Sequence, residues 1–480
     1  MPLHKDPAYQ EYLGRRQRHW DRVALRMASW KGWGGAYHQR LQHVYRHIVP
    51  PNLRILEIGC GEGDLLASLQ PLVGVGVDLS QSMLAIARSK HPALRLLQSD
   101  AHHLPLRGTF DVIILSDLIS ELWDVQAVFH ELRRLCHPYT RILINSYSRL
   151  WELPLRIVEL AGLAKPSLDL NWLTVEDVRN LLKLEGFEHI REWQEILLPL
   201  PIPILEPIFN RVLVRLWPFR HLALTNMIAA RPAPAPSSHA EQPTVSVIIP
   251  ARNEAGNIAD IFRRTPDMGA GTELVFVEGH SRDDTYAAIK REIKGHPERR
   301  CKLLQQSGEG KGDAVRLGFK HASGQILLIL DADLTVPPED LPRFYHALVS
   351  GKAEFVNGVR LVYPLEEQAM RYLNLIGNKF FGLAFSWLLG QPIKDTLCGT
   401  KGLWKHHYEL IAANRRFFGN LDPFGDFDLL LGAARFNLKI VDLPIRYRKR
   451  TYGETNIHRW RHGLLLLRML ILAARRLKFV

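Results

Sequence analysis

Two aspartates stand at the end of a strongly apolar segment. Asp331 and Asp333 follow the run Ile326–Leu330 and are separated by a single residue. In an extended chain, side chains two residues apart point to the same face. Hard carboxylate oxygens at this spacing suit a Mg²⁺ or Mn²⁺ ion that bridges two phosphates and stabilises a departing diphosphate. The pair therefore predicts a metal site for phosphate chemistry.

A second polar segment ends another apolar run, in the sequence VSVIIPARNE. The strand is predicted to end at Pro250, which places Arg252 and Glu254 on a loop where a nucleotide can lie. Glu278 ends the next apolar run. It is a candidate for reading a nucleobase edge, and the alternative is a solvated acid.

The segment GEGKGDAVRLGF combines glycines with a cation and an acid at the start of a helical pattern. Gly308, Gly310 and Gly312 surround Lys311, and Asp313 follows. Such a turn at a helix start favours phosphate or sugar contacts. The spacing and the missing Lys-Ser/Thr pair exclude a Walker A loop. We therefore expect Lys311 and Asp313 to bind the nucleotide donor.

A different glycine-rich turn lies near the N-terminus, in LEIGCGEGDLL. Gly59, Gly61 and Gly63 let the backbone approach a ligand closely. Asp78 ends the next strand, where a carboxylate can hold ribose hydroxyls. The G-x-G-x-G spacing departs from the dinucleotide pattern G-x-G-x-x-G, which disfavours a nicotinamide cofactor.

Alternating strands and helices must position these residues. The first half is predicted to contain strands at 53–58, 73–77, 110–115 and 141–144, and helices at 80–90, 125–135 and 175–184. This alternation is typical of an α/β fold with a parallel sheet. The Pro/Ala/Ser-rich segment 231–243 predicts a linker, after which strands at 245–249, 274–277 and 326–330 restart the pattern. We therefore predict two α/β domains.

Composition limits the partners of the chain. The 62 Lys and Arg residues against 49 Asp and Glu give a formal charge of +13 in 480 residues, which suits an anionic partner. Four dispersed cysteines and the lack of a recognisable leader favour a reducing, cytosolic environment. The most apolar stretches, 376–390 and 463–474, are short and interrupted by charges, so a membrane span is not expected.

The first glycine motif, with the acids that follow it, resembles class I S-adenosylmethionine-dependent methyltransferases over residues 50–225. The matching residues are Glu57, Gly59, Gly61, Gly63, Asp78, Asp100, Ala101, Phe110 and Asp111. The resemblance implies a Rossmann-like domain that binds S-adenosyl-L-methionine, with the loop at the amino acid part, Asp78 at the ribose, and Asp100 with Ala101 at the adenine. The methylating base stays open among Asp117, Glu121 and His103.

The second set of motifs resembles family 2 glycosyltransferases of the GT-A fold over residues 244–445. It comprises 250–254, 277–285, the loop around Lys311, and the pair Asp331 and Asp333. The segments 395–402 (DTLCGTKG) and 450–456 (RTYGETN) are most similar to polyprenyl-phosphate sugar transferases of the dolichyl-phosphate mannosyltransferase kind. This resemblance implies roles for Asp395 and Arg450 in the acceptor and active-site-loop motifs.

Two positions depart from the family pattern. Gly279 stands where a second acid is frequent, and Asn456 replaces a common lysine, which leaves the base and the sugar open. Asp426 occupies the place of the acceptor-side carboxylate. An inverting transfer to a hydroxyl needs a base, and Asp426 is our choice; a lipid phosphate is already anionic and needs none. The alternative for Asp426 is a helix cap.

The C-terminal segment is basic and aromatic. Residues 446–478 contain ten Lys and Arg against one acid, with Tyr447, Tyr452 and Trp460 interleaved. The adjoining leucine-rich run has no use on a nucleic acid backbone, whereas a bilayer interface buries it. We therefore predict a C-terminal amphipathic helix on a membrane surface, with 371–390 as a second interfacial helix or, alternatively, a core helix.

These features predict a bifunctional transferase. We expect a methyltransferase domain (1–230, with a helical N-terminal extension), a linker (231–243), a GT-A domain (244–445) and a basic loop with a membrane-surface helix (446–480). The expected reactions are inverting, metal-dependent sugar transfer from a nucleotide-sugar to a polyprenyl phosphate or related lipid on the cytoplasmic face of a membrane, and methyl transfer from S-adenosyl-L-methionine. The hypothesised methyl acceptor is the transferred sugar or its lipid product. The alternatives are a hydroxyl acceptor, or a non-catalytic membrane-associated scaffold.

Overall fold

The computed structural model contains two compact units, one ending at Ala233 and one spanning Pro234–Lys478. It describes residues 6–27, 34–160, 168–234, 242–360, 362, 372–415, 427–448, 450, 452 and 459–480. The last strand of the first unit runs to Pro232, so the predicted linker start at residue 231 is wrong. The physical reason is that Arg231 is buried in this strand and its guanidinium pairs with Glu188 at 2.6 Å.

The first unit is a doubly wound α/β fold. Its helices are α1 (Pro7–Met27), α2 (Gly34–Ile48), α3 (Asp64–Ser68), α4 (Gln81–Lys90), α5 (Val125–Leu132), α6 (Glu152–Leu160), α7 (Val175–Leu184) and α8 (Leu205–Pro207). Its strands are β1 (Arg54–Ile58), β2 (Val73–Asp78), β3 (Arg95–Gln98), β4 (Phe110–Ser116), β5 (Cys136–Tyr147), β6 (Phe187–Glu195) and β7 (Thr225–Pro232). They form one sheet in the order β3-β2-β1-β4-β5-β7-β6, in which β7 is antiparallel to both neighbours.

The predicted elements of this unit are confirmed. The apolar strands β1, β2, β4 and β5 are largely buried because helices cover both faces of a mainly parallel sheet. Helix α7 begins with the predicted capping box, in which Thr174 and Asp177 exchange hydrogen bonds. Ser80 caps α4 by accepting a hydrogen bond from the backbone of Met83. Local sequence therefore sets where these elements begin.

The second unit is also an α/β fold. Its helices are α9 (Ile258–Arg264), α10 (Thr285–Gly295), α11 (Lys311–His321), α12 (Leu341–Val349), α13 (Tyr372–Leu389), α14 (Lys405–Ala413), α15 (Phe427–Arg435) and α16 (Arg459–Ala473). Its strands are β8 (Val245–Ala251), β9 (Thr272–Glu278), β10 (Arg300–Gln305), β11 (Ile326–Ile329), β12 (Phe355–Val359), β13 (Lys401–Trp404) and β14 (Ile440–Pro444). The sheet order is β10-β9-β8-β11-β13-β12-β14, and β13 is antiparallel to β11 and β12.

Helix α16 differs from the expected amphipathic helix. Leu466 and Met469 are buried in the core of the second unit, whereas Leu464, Leu467 and Ile471 are exposed. The helix is therefore apolar on both sides, because one face completes the protein core and the other remains uncovered. Among the described residues, the structure has no helix with the length and apolar character needed to cross a membrane.

Candidate active sites

The glycine turn of the first unit lies at the carboxyl ends of β1 and β2. The backbone amides of Gly59 and Cys60 donate to the carbonyl of Val77 at 2.7 and 3.0 Å, and Gly61 donates to Asp78 Oδ2 at 2.8 Å. Gly61 has a φ of +50°, and a side chain there would meet open space. The turn thus presents backbone with room for a ligand beside it, as a cofactor loop requires.

Two acids hold this turn in place. Glu57 is buried and accepts a hydrogen bond from the backbone of Leu66 at 3.1 Å, and burial raises its pKa to about 8. Glu57, predicted to bind the cofactor, is therefore a positioning residue for the loop. Asp78 also accepts from the backbone of Ser80 at 2.8 Å. Burial raises the pKa of Asp78, and its backbone hydrogen bonds oppose the shift. Gly63, with a φ of +75°, starts α3.

The predicted adenine residues lie after β3. Ala101 is buried, while Asp100 is partly exposed. Asp100 accepts hydrogen bonds from the ring of His102 at 2.8 Å and from the hydroxyl of Tyr9. Although burial acts to raise its pKa, these hydrogen bonds lower it. Asp100 is therefore ionised and held by its neighbours.

Helix α1 covers this site. The sequence predicts this helix only as an N-terminal extension, without a role in the site. Four side chains on one face of α1 donate hydrogen bonds to the loops that follow the strands. Tyr9 donates to Asp100, and Tyr12 donates to the Glu121 carbonyl. Arg16 donates to the Asp169 carbonyl, and Trp20 donates to the Glu121 carboxylate. Asp21 accepts from the Ser80 hydroxyl at 2.6 Å. The polar and aromatic residues at positions 9, 12, 16 and 20 follow helical spacing, and that spacing was the available signal.

Asp117 lies just beyond β4 in a polar network. Its carboxylate accepts hydrogen bonds from the Tyr37 hydroxyl at 2.9 Å and from the Asn145 amide at 2.7 Å. Asn145 in turn accepts from Tyr45 at 2.7 Å. Asp117 has a φ of +54°, an uncommon conformation for a residue with a side chain. Burial raises its pKa to about 7, against the effect of its hydrogen bonds.

The structure separates the three candidates for a methylating base. Glu121 pairs with Arg16 at 3.4 Å and accepts from Trp20 at 2.7 Å, so its carboxylate is engaged with α1. His103 is exposed. Asp117 combines a place at the end of a central strand with a pKa that burial raises to about 7. It is the best placed of the three to accept a proton.

The metal candidates of the second unit follow β11. Asp331 lies 2.6 Å from the ammonium of Lys311, at the start of α11. Gly399 packs against this pair so closely that a Cβ there would lie 2.1 Å from both Asp331 Oδ2 and Lys311 Nζ. The predicted lysine loop and the aspartate pair are thus brought together. Asp313 instead accepts from the backbone of Gly308 at 3.2 Å and shapes the loop.

Arg450 connects the far end of the chain to the same site. Its guanidinium lies 2.8 Å from Asp333 Oδ2 and 3.2 Å from Glu254 Oε1. Glu254 is buried, which raises its pKa to about 7, although Arg450 acts to lower it. The backbone of Arg448 donates to the Thr335 carbonyl at 2.9 Å, which anchors this segment beside the aspartates.

A set of short hydrogen bonds shapes the predicted nucleotide loop. Pro250 is the penultimate residue of β8, and Arg252 is exposed just beyond it. The backbone amide of Arg282 donates to the Asn253 side chain at 2.7 Å. Glu278, predicted to read a nucleobase, is buried and accepts from the backbone of Ser281 at 2.6 Å. Glu278 therefore helps to fix the loop conformation, and a contact with a nucleobase stays a prediction.

Asp395, which the family resemblance places in the acceptor and active-site-loop motifs, lies in an internal ion pair. Asp395 is fully buried and forms a two-pronged ion pair with Arg360 at 2.7 and 2.9 Å. Burial acts to raise the pKa of Asp395, and Arg360 lowers it below its usual value. The pair holds the segment before Gly399 in place, and a catalytic role for Asp395 stays a prediction. Asp426 lies outside the described residues.

The aspartate pair fits a divalent cation. Among the described residues, no group of three or more His, Cys, Asp or Glu side chains could enclose a metal ion. Mg²⁺ and Mn²⁺, however, are held at such sites by one or two carboxylates together with substrate phosphates. Asp331 and Asp333 are both partly exposed and supply these oxygens, and Lys311 and Arg450 now neutralise them.

Two family models match the chain. The model "Methyltransferase domain" matches residues 55–139, and "Glycosyl transferase family 2" matches residues 246–409. The first match covers the glycine turn through β4, and the second covers the nucleotide loop, the aspartate pair and Gly399. The chain therefore carries a methyltransferase domain and a family 2 glycosyltransferase domain.

Curated relatives are similar to the second half. Glycosyltransferase AglJ of Haloferax volcanii is 28% identical over 46% of this chain, and the dolichol-phosphate mannosyltransferase of Pyrococcus furiosus is 29% identical over 44%. The undecaprenyl-phosphate 4-deoxy-4-formamido-L-arabinose transferase of Sodalis glossinidius is 32% identical over 44%. The chain spans 68%, 59% and 62% of the length of these three relatives, respectively.

Proposed function

We propose that this two-domain transferase moves a sugar from a nucleotide-sugar onto a polyprenyl phosphate and also transfers a methyl group from S-adenosyl-L-methionine. The sugar transfer rests on one observation above all. Two aspartates that follow β11 each pair with a cation from elsewhere in the chain, Asp331 with Lys311 and Asp333 with Arg450. A nucleotide diphosphate requires this combination of charges.

Asp331 and Asp333 hold a Mg²⁺ or Mn²⁺ ion in this proposal, and such an ion neutralises charge on a diphosphate. Lys311 and Arg450, each paired with one of these aspartates, stabilise the negative charge that develops as the sugar–phosphate bond breaks. The acceptor oxygen attacks the anomeric carbon from the face opposite the diphosphate, so the configuration inverts.

The acceptor is a polyprenyl phosphate. Two of the three relatives above carry dolichol-phosphate or undecaprenyl-phosphate in their names. A phosphate is anionic near neutral pH, so its oxygen can attack without a protein base. If the acceptor is instead a sugar hydroxyl, Asp426→Asn abolishes turnover while lipid phosphate still binds normally.

The methyl transfer uses the first unit. The turn supplies open backbone at Gly61 beside a partly exposed Asp78, which suits an amino acid and a ribose. Methyl transfer from a sulfonium is an in-line displacement, so alignment is the main requirement. Asp117 accepts the proton of a hydroxyl acceptor, oriented by Tyr37 and Asn145.

A membrane surface brings the lipid acceptor to the second unit. The exposed residues Phe380, Leu383 and Trp387 of α13 and the exposed leucines of α16 are apolar, and basic residues follow at the C-terminus. This composition favours peripheral binding to an anionic bilayer on the cytoplasmic side. Because one chain carries both activities, the transferred sugar or its lipid product is the methyl acceptor in this proposal.

The decisive experiment gives purified protein a polyprenyl phosphate, Mn²⁺, a panel of nucleotide-sugars and labelled S-adenosyl-L-methionine, and follows both labels into lipid. We expect the double variant Asp331→Ala/Asp333→Ala to lose sugar transfer and Mn²⁺ binding. The control Asp267→Ala removes an exposed carboxylate elsewhere and leaves both intact. Unchanged donor turnover in the double variant contradicts the proposed sugar transfer, and methyl label only on an unrelated soluble compound contradicts the coupling.

A further inference from the structure

Part of the surface of the first unit exposes large apolar side chains, while polar side chains are buried beneath it. We define the apolar flank as residues 149–157 and 201–222, whose exposed side chains include Leu150, Leu153, Ile157, Ile204, Trp217 and Leu222. Ile204 and Trp217 are 75% and 76% exposed. Monomeric soluble proteins rarely expose a continuous apolar surface of this kind unless it binds something.

Polar side chains hold the apolar flank from beneath. Asn210 is buried and accepts hydrogen bonds from the backbone amides of Leu197 and Leu198, both at 2.8 Å. Arg215 is also buried and pairs with the buried carboxylate of Glu195 at 2.5 Å. The segment is therefore held by buried hydrogen bonds and an ion pair while its large apolar side chains face outward. Exposure of large apolar side chains to water is unfavourable, so this arrangement indicates an apolar partner.

The two parts of the apolar flank form one continuous surface. The indole NH of Trp151 donates to the carbonyl of Leu222 at 2.8 Å, which joins residues 149–157 to residues 201–222. The backbone amide of Ser148 donates to the Leu224 carbonyl at 2.7 Å. Both segments thus meet at the edge of the sheet where β5 ends and β7 begins.

This edge also holds the proposed methyl-transfer site. Thr225, the third residue after the apolar flank, pairs in register with Tyr147, at the end of β5. The Thr225 hydroxyl donates to the Tyr37 hydroxyl at 3.4 Å, and Tyr37 donates to Asp117 at 2.9 Å. The apolar flank therefore borders the site at which the methyl acceptor must arrive.

Charge indicates which apolar partner fits. The exposed charged residues of the apolar flank are Arg149, Arg156, Arg211 and Arg220, whereas its two acids, Glu152 and Glu206, are partly buried. Exposed apolar and aromatic side chains bordered by arginines suit the interface of an anionic bilayer. A symmetric contact between two copies would bring these arginines towards one another, which disfavours a dimer.

We propose that the apolar flank binds the surface of an anionic bilayer, so that the methyltransferase domain takes its acceptor from the membrane. The acceptor class is a lipid-linked molecule whose reactive group reaches Asp117 while its chain stays in the bilayer. This inference rests on the proposed methyl transfer for its functional meaning, but the binding surface stands on its own geometry.

The test uses the full chain with Leu464→Ser/Leu467→Ser as background, which weakens binding through α16. Trp217→Ser/Leu222→Ser is compared with Leu184→Ser. Leu184 is 60% exposed and Leu222 is 56% exposed. Leu184 lies before the start of β6, whereas residues 201–222 of the apolar flank follow the end of β6. Flotation uses vesicles of phosphatidylcholine with and without phosphatidylglycerol. We expect Trp217→Ser/Leu222→Ser to weaken binding to the anionic vesicles by about tenfold or more, since burying large apolar side chains drives such binding. Leu184→Ser should have no effect.

Hydrogen exchange locates the contact within the same full-length protein. Anionic vesicles should slow exchange across residues 201–222. Equal flotation of the two variants overturns the inference, as does protection of this segment by self-association without vesicles. Calorimetry with S-adenosyl-L-methionine separates the two proposals. If the apolar flank binds vesicles but the protein does not bind the cofactor, only the proposed methyl transfer is overturned. If the protein binds the cofactor and transfers methyl groups but the two variants float equally, only the proposed bilayer contact is overturned.

Discussion

Arg450 Nη2 lies 2.8 Å from Asp333 Oδ2, an ion pair between residues 117 positions apart in the chain. The same guanidinium lies 3.2 Å from Glu254. A cation from the C-terminal segment therefore occupies one of the two carboxylates that we propose as metal ligands. In this proposal, metal and Arg450 compete for Asp333, and a bound diphosphate removes the competition because it gives Arg450 another anionic partner.

Replacing Arg450 should separate metal binding from catalysis. In Arg450→Gln we expect Mn²⁺ to bind the donor-free enzyme more tightly, because Asp333 loses its cation. Sugar transfer should fall by about 100-fold, the usual cost of removing one group that stabilises transition-state charge. Calorimetry and initial rates measure the two effects. Arg450→Lys should restore part of the rate, and weaker Mn²⁺ binding in Arg450→Gln would contradict the competition.

Gly399 provides a steric test of the same site. Its missing Cβ would lie 2.1 Å from both Lys311 Nζ and Asp331 Oδ2. Gly399→Ala should push these flexible ends apart and break their 2.6 Å contact, so we expect donor turnover to fall by about tenfold or more. The folded state should lose little stability. The control is Gly295→Ala, where a Cβ meets nothing within 4 Å; equal donor kinetics in the two variants would refute the predicted steric effect.

Asp117 predicts the pH dependence of methyl transfer. Burial raises its pKa from its ordinary value to about 7, so the carboxylate becomes a base only as pH rises through about 7. The same shift means that ionising Asp117 opposes folding, so its stabilising contribution is present below pH about 4 and is lost on approaching pH 7.

We expect the methyl-transfer rate to rise through about pH 7. Asp117→Asn should lower the rate by about 100-fold or more and remove the rise, while S-adenosyl-L-methionine still binds. A pH–rate profile and calorimetry measure both properties. His103→Gln should keep the wild-type profile; if it loses the rise instead, His103 is the base.

Asp395 should affect stability more than chemistry. Removing one partner of a buried ion pair leaves an uncompensated charge, so Asp395→Asn should lower the free energy of unfolding by about 3–5 kcal/mol. The exposed pair Arg263–Asp260 gives the control, and Asp260→Asn should change it by less than about 1 kcal/mol. Urea unfolding of both variants measures the difference, and similar losses would mean that the Arg360 pair contributes little.

The sequence by itself determined the two α/β domains and the principal motifs. Apolar runs that end in Gly, Pro or Asp specify a buried strand and its turn within a few residues, so β1, β2, β8 and β11 were predictable. The positions of Gly59, Gly61, Asp331 and Asp333 follow from the same local pattern. Helix starts such as Thr174 were equally local, because a cap bonds to a residue three positions away.

Tertiary structure alone decided which charged groups are exposed and what they contact. Asp395 and Asp333 are both acids in family motifs, but Arg360 buries the first in an ion pair, whereas the second remains open beside Arg450. Asp117 became the leading base because Tyr37, from a separate helix, and Asn145, from the next strand, surround it. Burial and pairing depend on residues far away in the chain, and an acid's role depends on burial and pairing. No local pattern contains that information.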